Sequence, residues 1–383
     1  MKRILILCTC LCLFLSGCHT LLDGNYLWTS PHQVQENPGD EDMLQAANYD
    51  ELLTALAGMT ENGTENGIIY ISQYASGNFE EEMAKAVKTT LENNPVAAYA
   101  VDAIQWEEGT NSGQKAVAVS ISYLHNRTEI RKIQHVTTTE QAEEKIFDAL
   151  KNVASGLVLY LEDYEHTDFV QLVEDYALKN PQYVMETPQT IVNVYPRWGI
   201  ARVIELKFYY QTPKDSLENM QRQVSPIFSA AGLYVTGDAE DAQKFSQLYS
   251  FLTERFDYKI ETSVTPAYSL LRHGVGDSKA FSTVYAAMCQ TAGLECQVVS
   301  GTHLGERWYW NLIYVDGSYY HLDLLMCNNA GWFQMLTDDE MKGYVWDYSA
   351  YPATPKPTPP APTEPEEVPP TTEPILPTTE PTT

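Results

Sequence analysis

Basic residues are scarce in this chain of 383 residues. It has 24 lysines and arginines against 51 aspartates and glutamates, a net charge of -27. No basic patch interleaved with aromatics occurs, which excludes nucleic acid as a partner. The acidity suits a protein kept soluble and away from anionic surfaces. Cysteine is scarce as well. Of seven, Cys8, Cys10, Cys12 and Cys18 fall in the first 18 residues, leaving Cys289, Cys296 and Cys327. Three cysteines without metal-ligand spacing give no zinc or haem motif, so neither a metal nor a cofactor is expected. Cys296 and Cys327 can pair in an oxidising exterior, but small buried hydrophobes is the simpler reading. Long apolar runs are missing too. The run from Ile4 to Leu15 is too short to span a bilayer.

That run follows Lys2 and Arg3 and ends Leu15-Ser16-Gly17-Cys18, the layout of an export signal. Its end resembles the lipobox of bacterial lipoproteins. The resemblance implies a signal peptide over 1–17 and a lipidated Cys18 as the first mature residue. The alternative is an ordinary cleaved signal with an incidental cysteine. Acyl chains on Cys18 anchor a protein at the membrane face without inserting it, so the expected location is the cell membrane, facing outward. Residues 18–47, with Pro31, Pro38 and Gly39, read as a tether. Residues 352–383 are Pro, Thr and Glu with almost nothing apolar, too little to bury a core, and read as a disordered, PPII-rich tail. Spacer, glycosylated stalk and ligand of a proline-reading partner are all open for it, a solvated tail being favoured.

The middle of the chain repeats itself. Ile68-Ile69-Tyr70-Ile71-Ser72-Gln73-Tyr74, with Phe79 five residues on, corresponds to Val158-Leu159-Tyr160-Leu161-Glu162-Asp163-Tyr164, with Phe169 five residues on. A helical stretch then ends at Asn94-Pro95 and at Asn180-Pro181, four residues shorter in the second copy. Four residues are about one helical turn, so the faces stay in phase. Alternating runs follow at 98–106 and 116–123, and again at 190–195 and 202–210, with a helix before each copy at 49–58 and 139–151. Two helix–strand–helix–strand–strand units are therefore expected, over 48–125 and 137–212. Neither unit contains a cluster of candidate acids, bases and nucleophiles. Helices follow at 214–231 and 239–257, the second with Phe245, Leu248, Tyr249 and Leu252 on one face.

The final domain, expected over 237–351, carries the candidate chemistry. G-V-G-D-S-K-A-F-S-T-V-Y-A-A-M-C-Q-T-A-G-L-E-C-Q-V-V-S-G (274–301) reads as a turn, a helix ending at Gly293, and a strand. W-Y-W-N-L-I-Y-V-D-G-S-Y-Y-H-L-D (308–323) reads as a hairpin turned at Asp316-Gly317. Over about residues 245–325 this layout resembles the core of the transglutaminase-like superfamily, which includes papain-like hydrolases and cross-linking enzymes. The family's cysteine, histidine and aspartate positions fall on Ser278, Trp308 and Asp323. The expected fold class is α+β: the two repeats, then, as the resemblance implies, a helix packed on an antiparallel sheet.

A thiol at a helix N-terminus beside an imidazole becomes a thiolate at neutral pH. A serine hydroxyl needs a base during attack, and an indole is a donor only. Cys289 lies eleven residues further along the same helix, about 16 Å away, and cannot stand in for the nucleophile. His303, placed in the loop 301–307, is the candidate for a displaced base. His321 shares a strand face with Asp323 and reads as structural, and His273 is a weaker candidate still. In Gly-Asp-Ser, Asp277 also reads simply as an N-cap with Ser278 the first helical residue. The leading expectation is a pseudoenzyme that binds a peptide or glycan through Trp308, Tyr309, Trp310 and His303. The alternatives are a serine-dependent hydrolase or acyltransferase using Ser278 with His303, and a scaffold whose cleft is filled. The sequence carries no signal for oligomeric state.

Overall fold

The computed structural model describes residues 44–356 apart from 76, 261 and 262. The leader, Cys18, most of the segment 18–47 and the tail from 357 lie outside the described residues.

The first unit begins with strand β1 (Leu44–Gln45), inside the segment expected as a tether. Two residues carry no periodic signal, so only the pairing reveals this strand: β1 runs parallel to β2 (Asn66–Tyr70). Between them lies helix α1 (Tyr49–Glu61). Its N-terminus is fixed by Asn48, whose side chain accepts from Glu51 N at 3.0 Å, while the Glu51 carboxylate accepts from Ala47 N at 2.8 Å. Such reciprocal bonds satisfy amides that the first helical turn leaves without partners. Leu52, Ala55, Leu56 and Met59 form its buried face. Helix α2 (Phe79–Asn93) packs beside it through Met83 and Ala86, and both helices cover the sheet face of Ile69, Val117, Val119 and Ile121. The sheet is completed by β3 (Val101–Asn111) and β4 (Gln114–Tyr123), in the order β1-β2-β4-β3.

The second unit has β5 (Gln134–Val136), α4 (Thr139–Lys151), β6 (Gly156–Leu161), α5 (Phe169–Lys179), β7 (Gln189–Tyr195) and β8 (Arg202–Tyr209). Here α3 denotes the short helix Pro95–Ala100 of the first unit. The second sheet has the order β5-β6-β8-β7, again with a parallel first pair, and it starts at 134 rather than 137. Helices α2 and α5 have 15 and 11 residues. The four missing residues lie where the sequence offset changes, and Phe79 and Phe169 open the two helices.

Helix α3 takes the first three residues of the strand expected over 98–106, whose remainder is β3 from Val101. Asn94 caps it by accepting from Ala97 N at 2.9 Å, and Pro95 takes the first helical position, where its missing N–H costs nothing. Its apolar side is then buried across the unit boundary. Val96, Tyr99 and Ala100 pack with Ile130 and Ile133 against Val203, Val158, Tyr160 and Tyr195 of the second sheet. Tertiary burial decides the conformation of a segment whose alternation alone suggests a strand.

Helix α6 (Lys214–Ser229) leads from the second unit into the last domain. There α7 (Asp241–Thr253) and α8 (Ser278–Thr291) share a core of Phe245, Leu248, Leu252, Phe281, Val284 and Tyr285. Short strands β9 (Asp257–Tyr258) and β10 (Val275–Gly276) pair just before α8. Helix α8 lies on β11 (Cys296–His303) and β12 (Glu306–Val315), with β13 (Ser318–Leu322) beside β12 and β14 (Tyr344–Trp346) beside β11, in the order β13-β12-β11-β14. Asp316 and Gly317 turn the β12–β13 hairpin with φ of 49° and 84°. Two successive positive φ values give a turn whose twist matches the strands. At the far end the expected tail boundary shifts. Thr354 is buried, and its hydroxyl accepts from Asp338 N at 2.6 Å.

Candidate functional site

Ser278 opens α8. Asp277 caps the helix by accepting from Ala280 N at 2.9 Å. Ser278 is 6% exposed, and its Oγ accepts from Tyr309 N on β12 at 3.3 Å. Among the described residues no imidazole hydrogen-bonds this hydroxyl. His303 is not in a loop but is the last residue of β11, because its pairing with Glu306 extends the hairpin to its tip. Its ring stacks on Tyr344 at 4.2 Å and tilts against Trp308 at 5.7 Å. His273 is exposed and meets the edge of Tyr268.

Trp308 and Trp310 alternate with Tyr309 along β12, on the side facing His321 and Asp323 of the next segment. The Trp308 indole Nε1–H donates to Asp323 Oδ2 at 2.6 Å. Tyr344 OH donates to the same oxygen at 2.8 Å. Asp323 Oδ1 caps helix α9 (Leu324–Ala330), accepting from Leu325 N and Met326 N at 3.0 Å each. All four bonds converge on a carboxylate 3% exposed. Burial and the Asp323 charge together hold the Tyr344 phenol well above its usual range. Ser278, Trp308 and Asp323 are thus joined: the hydroxyl to the backbone beside Trp308, and the indole to the carboxylate. The arrangement contains no acceptor able to take a proton from Ser278, because an indole only donates and Asp323 is committed to other donors.

Trp310 is wholly buried and cannot line a ligand surface, which corrects its place among the expected binding residues. It fills the opposite side of the sheet from α8 with Val299, Leu312, Met341 and Trp346. Gly301 makes room for it: a Cβ there would lie 2.8 Å from the Trp310 ring and 2.3 Å from Val345 O. Trp310 Nε1–H donates to His321 Nδ1 at 2.9 Å, so the His321 proton resides on Nε2 and faces Asp338 Oδ1, also at 2.9 Å. Burial lowers the His321 pKa against the opposing pull of Asp338. Both ring nitrogens are occupied, the structural role expected of this residue. Asn311 Nδ2 donates to Ser282 O at 2.9 Å, and its Oδ1 is buried without a partner.

Around Trp308 an aromatic group remains partly open. Tyr258, 41% exposed, lies 5.8 Å from the Trp308 ring, which also meets His303, itself stacked on Tyr344. Burial, then Asp277 and Asp323, raise the Tyr258 pKa. Tyr309 points the other way, with Lys279 Nζ 5.8 Å and Arg307 Cζ 6.0 Å from its ring centroid. Tyr258 and Tyr344 were not foreseen. They come from a two-residue and a three-residue strand, lengths at which periodicity gives no signal. Among the described residues, Cys289, Cys296 and Cys327 form no disulfide. Cys289 and Cys327 are buried, and burial raises both thiols, that of Cys327 to about 11.

The family model of the transglutaminase-like superfamily matches residues 230–335. No curated protein matches the chain. Among solved structures it is similar to a TGase at 10% identity and a TM-score of 0.24, covering 50% of this chain and 58% of that one. A putative cysteine protease from Cytophaga hutchinsonii is 10% identical over 41% of this chain and 70% of its own, at a TM-score of 0.25. A putative protease from Parabacteroides distasonis is 9% identical over 57% and 35%, at 0.22. The C-terminal part of the chain, residues 230–335, is a transglutaminase-like domain.

Proposed function

We propose that this chain is a lipid-anchored bacterial surface protein whose transglutaminase-like domain is catalytically silent and holds a peptide or glycan against the aromatic group at Trp308. The observation that carries this reading is the 2.6 Å bond from Trp308 Nε1 to Asp323. In a thiol enzyme of this family an imidazole would make that bond and offer its second nitrogen to the nucleophile. An indole makes the bond and offers nothing further. Because Ser278 and Asp323 are buried, the deep end of the site is closed, and a ligand has access only to its rim of Tyr258, Trp308, His303 and Tyr344. Half-exposed tryptophan and tyrosine are common anchors of binding surfaces.

Calorimetric titration of the protein with chitotetraose and with an alanine-rich pentapeptide tests the binding arm. Heat from either that disappears in Trp308→Ala supports the reading; heat that persists in the variant contradicts it. The burial of Ser278 also favours a second reading, a scaffold with its cleft filled, under which neither probe binds. The anchor rests on the motif ending at Cys18. Cys18→Ser is expected to move the protein from the membrane fraction to the medium, and a variant that stays in the membrane fraction would remove the lipid anchor from the account.

A further inference from the structure

On the sheet face that α8 covers, away from the Trp308 rim, polar groups without partners gather around Tyr309. Ser300 and Thr302 of β11 stand opposite Tyr309 and Arg307 of β12, and Val345 of β14 stands opposite Thr302. Directly paired residues share a face, so these five form one patch. Lys279, the second residue of α8, reaches over it. Its Nζ lies 5.8 Å from the Tyr309 ring centroid, and Arg307 Cζ lies 6.0 Å from the same point. Helix α5 of the second unit packs against α8 and β11, so the patch lies beside the junction of two units, a common place for ligands. Lys279, Ser300, Thr302 and Tyr309 are partly buried, and Arg307 is exposed. Among the described residues, no ion pair or hydrogen bond engages Lys279 Nζ, the Arg307 guanidinium, or the Ser300, Thr302 and Tyr309 hydroxyls. Lysine is seldom buried unless it is paired. Burial lowers the Lys279 pKa, Asp277 draws it back up, Arg307 lowers it further and Glu174 of α5 raises it. Two unpaired cations side by side stand out in a chain with 51 acidic and 24 basic residues.

We infer that this patch binds the free carboxylate at the C-terminus of a peptide. The Arg307 fork takes the carboxylate, and Lys279 Nζ adds a second charge-assisted bond. The Ser300 and Thr302 hydroxyls, each able to donate and to accept, meet the last peptide groups. The Tyr309 ring and Val345, 65% exposed, offer apolar surface to the terminal side chain. An internal peptide segment or a neutral sugar would leave both cations unpaired. A phosphate dianion would bring a second negative charge toward Asp277 and Glu174, so a monoanion is the better match. Tyr309 and Trp308 alternate to opposite faces of β12, and the site does not depend on the function proposed for the Trp308 rim.

Saturation-transfer NMR titrations of the whole protein with N-acetyl-Ala-Ala-Phe, its C-terminal amide and inorganic phosphate test this. The acid is expected to receive saturation at millimolar concentration, and the amide to bind about tenfold more weakly. The difference between acid and amide is the readout, so binding at the Trp308 rim, which holds no lysine or arginine, does not register. Arg307→Gln and Lys279→Met are each expected to weaken the acid about tenfold, the loss of one charge-assisted bond. Trp308→Ala is expected to leave the difference unchanged. Circular dichroism checks that the variants fold, and Arg307→Gln, at an exposed position, decides alone where Lys279→Met does not. The inference is overturned if the acid receives no saturation, if the amide binds as tightly, if phosphate binds more tightly than the acid, if Arg307→Gln binds the acid like the wild type, or if Trp308→Ala abolishes the difference.

Discussion

Trp310→Ala is expected to destabilise the transglutaminase-like domain by about 3–5 kcal/mol, the range for truncating a buried aromatic. The indole is fully buried, edge-packed on Tyr344 at 5.1 Å and on Trp346 at 5.6 Å, and hydrogen-bonded to His321. Truncation opens a cavity between β12 and β14 and strips His321 Nδ1 of its donor. Domains are stable by only about 5–15 kcal/mol, so much of the margin goes. Urea unfolding followed by near-UV circular dichroism reads the loss directly. A shift below about 1 kcal/mol would mean that the second layer around β14 contributes little, because surface-like sites behave that way.

Asp323→Ala is expected to cost about as much, by a different route. The carboxylate accepts from Trp308, Tyr344, Leu325 N and Met326 N. Losing a cap costs about 1 kcal/mol, and each buried donor left without a partner about 1–3 kcal/mol. The sum is about 3–5 kcal/mol once relaxation and water entry recover part of it. Urea unfolding of Asp323→Ala beside the Trp308→Phe single variant separates the cap from the indole bond. Asp323 thus acts as a structural hub, holding the helix α9 terminus, the β14 tyrosine and the Trp308 ring at one point. A variant as stable as the wild type would contradict that role.

Much of this was legible in the sequence because long, periodic elements announce themselves. Helix α8 with its Gly293 stop, the Asp316-Gly317 hairpin and the Asp277 cap each follow from local chemistry. So does the one-turn difference between α2 and α5. The failures share one cause, which is that their structure depends on distant partners. Pro95–Ala100 is a helix because a second sheet waits to cover it. Leu44–Gln45 is a strand because β2 offers an edge. His303 is held on β11 because the hairpin closes at its tip. Of the two readings open for Trp310, core filler or ligand surface, burial under β14 selects the first. Tyr344 joins Trp308 at Asp323 from a strand too short to show any period. The site's residue types were readable; the bond from an indole to the aspartate was not, since no spacing rule places it.

Turnover by the intact protein tests the account most directly. Transfer of a labelled amine to a glutamine peptide, and hydrolysis of a peptide library, are measured for the wild type and Ser278→Ala. The geometry, with Ser278 Oγ held by Tyr309 N and Trp308 locked on Asp323, predicts that both proteins stay at the protein-free rate. Turnover in the wild type that Ser278→Ala abolishes would contradict it and make this a serine-dependent enzyme.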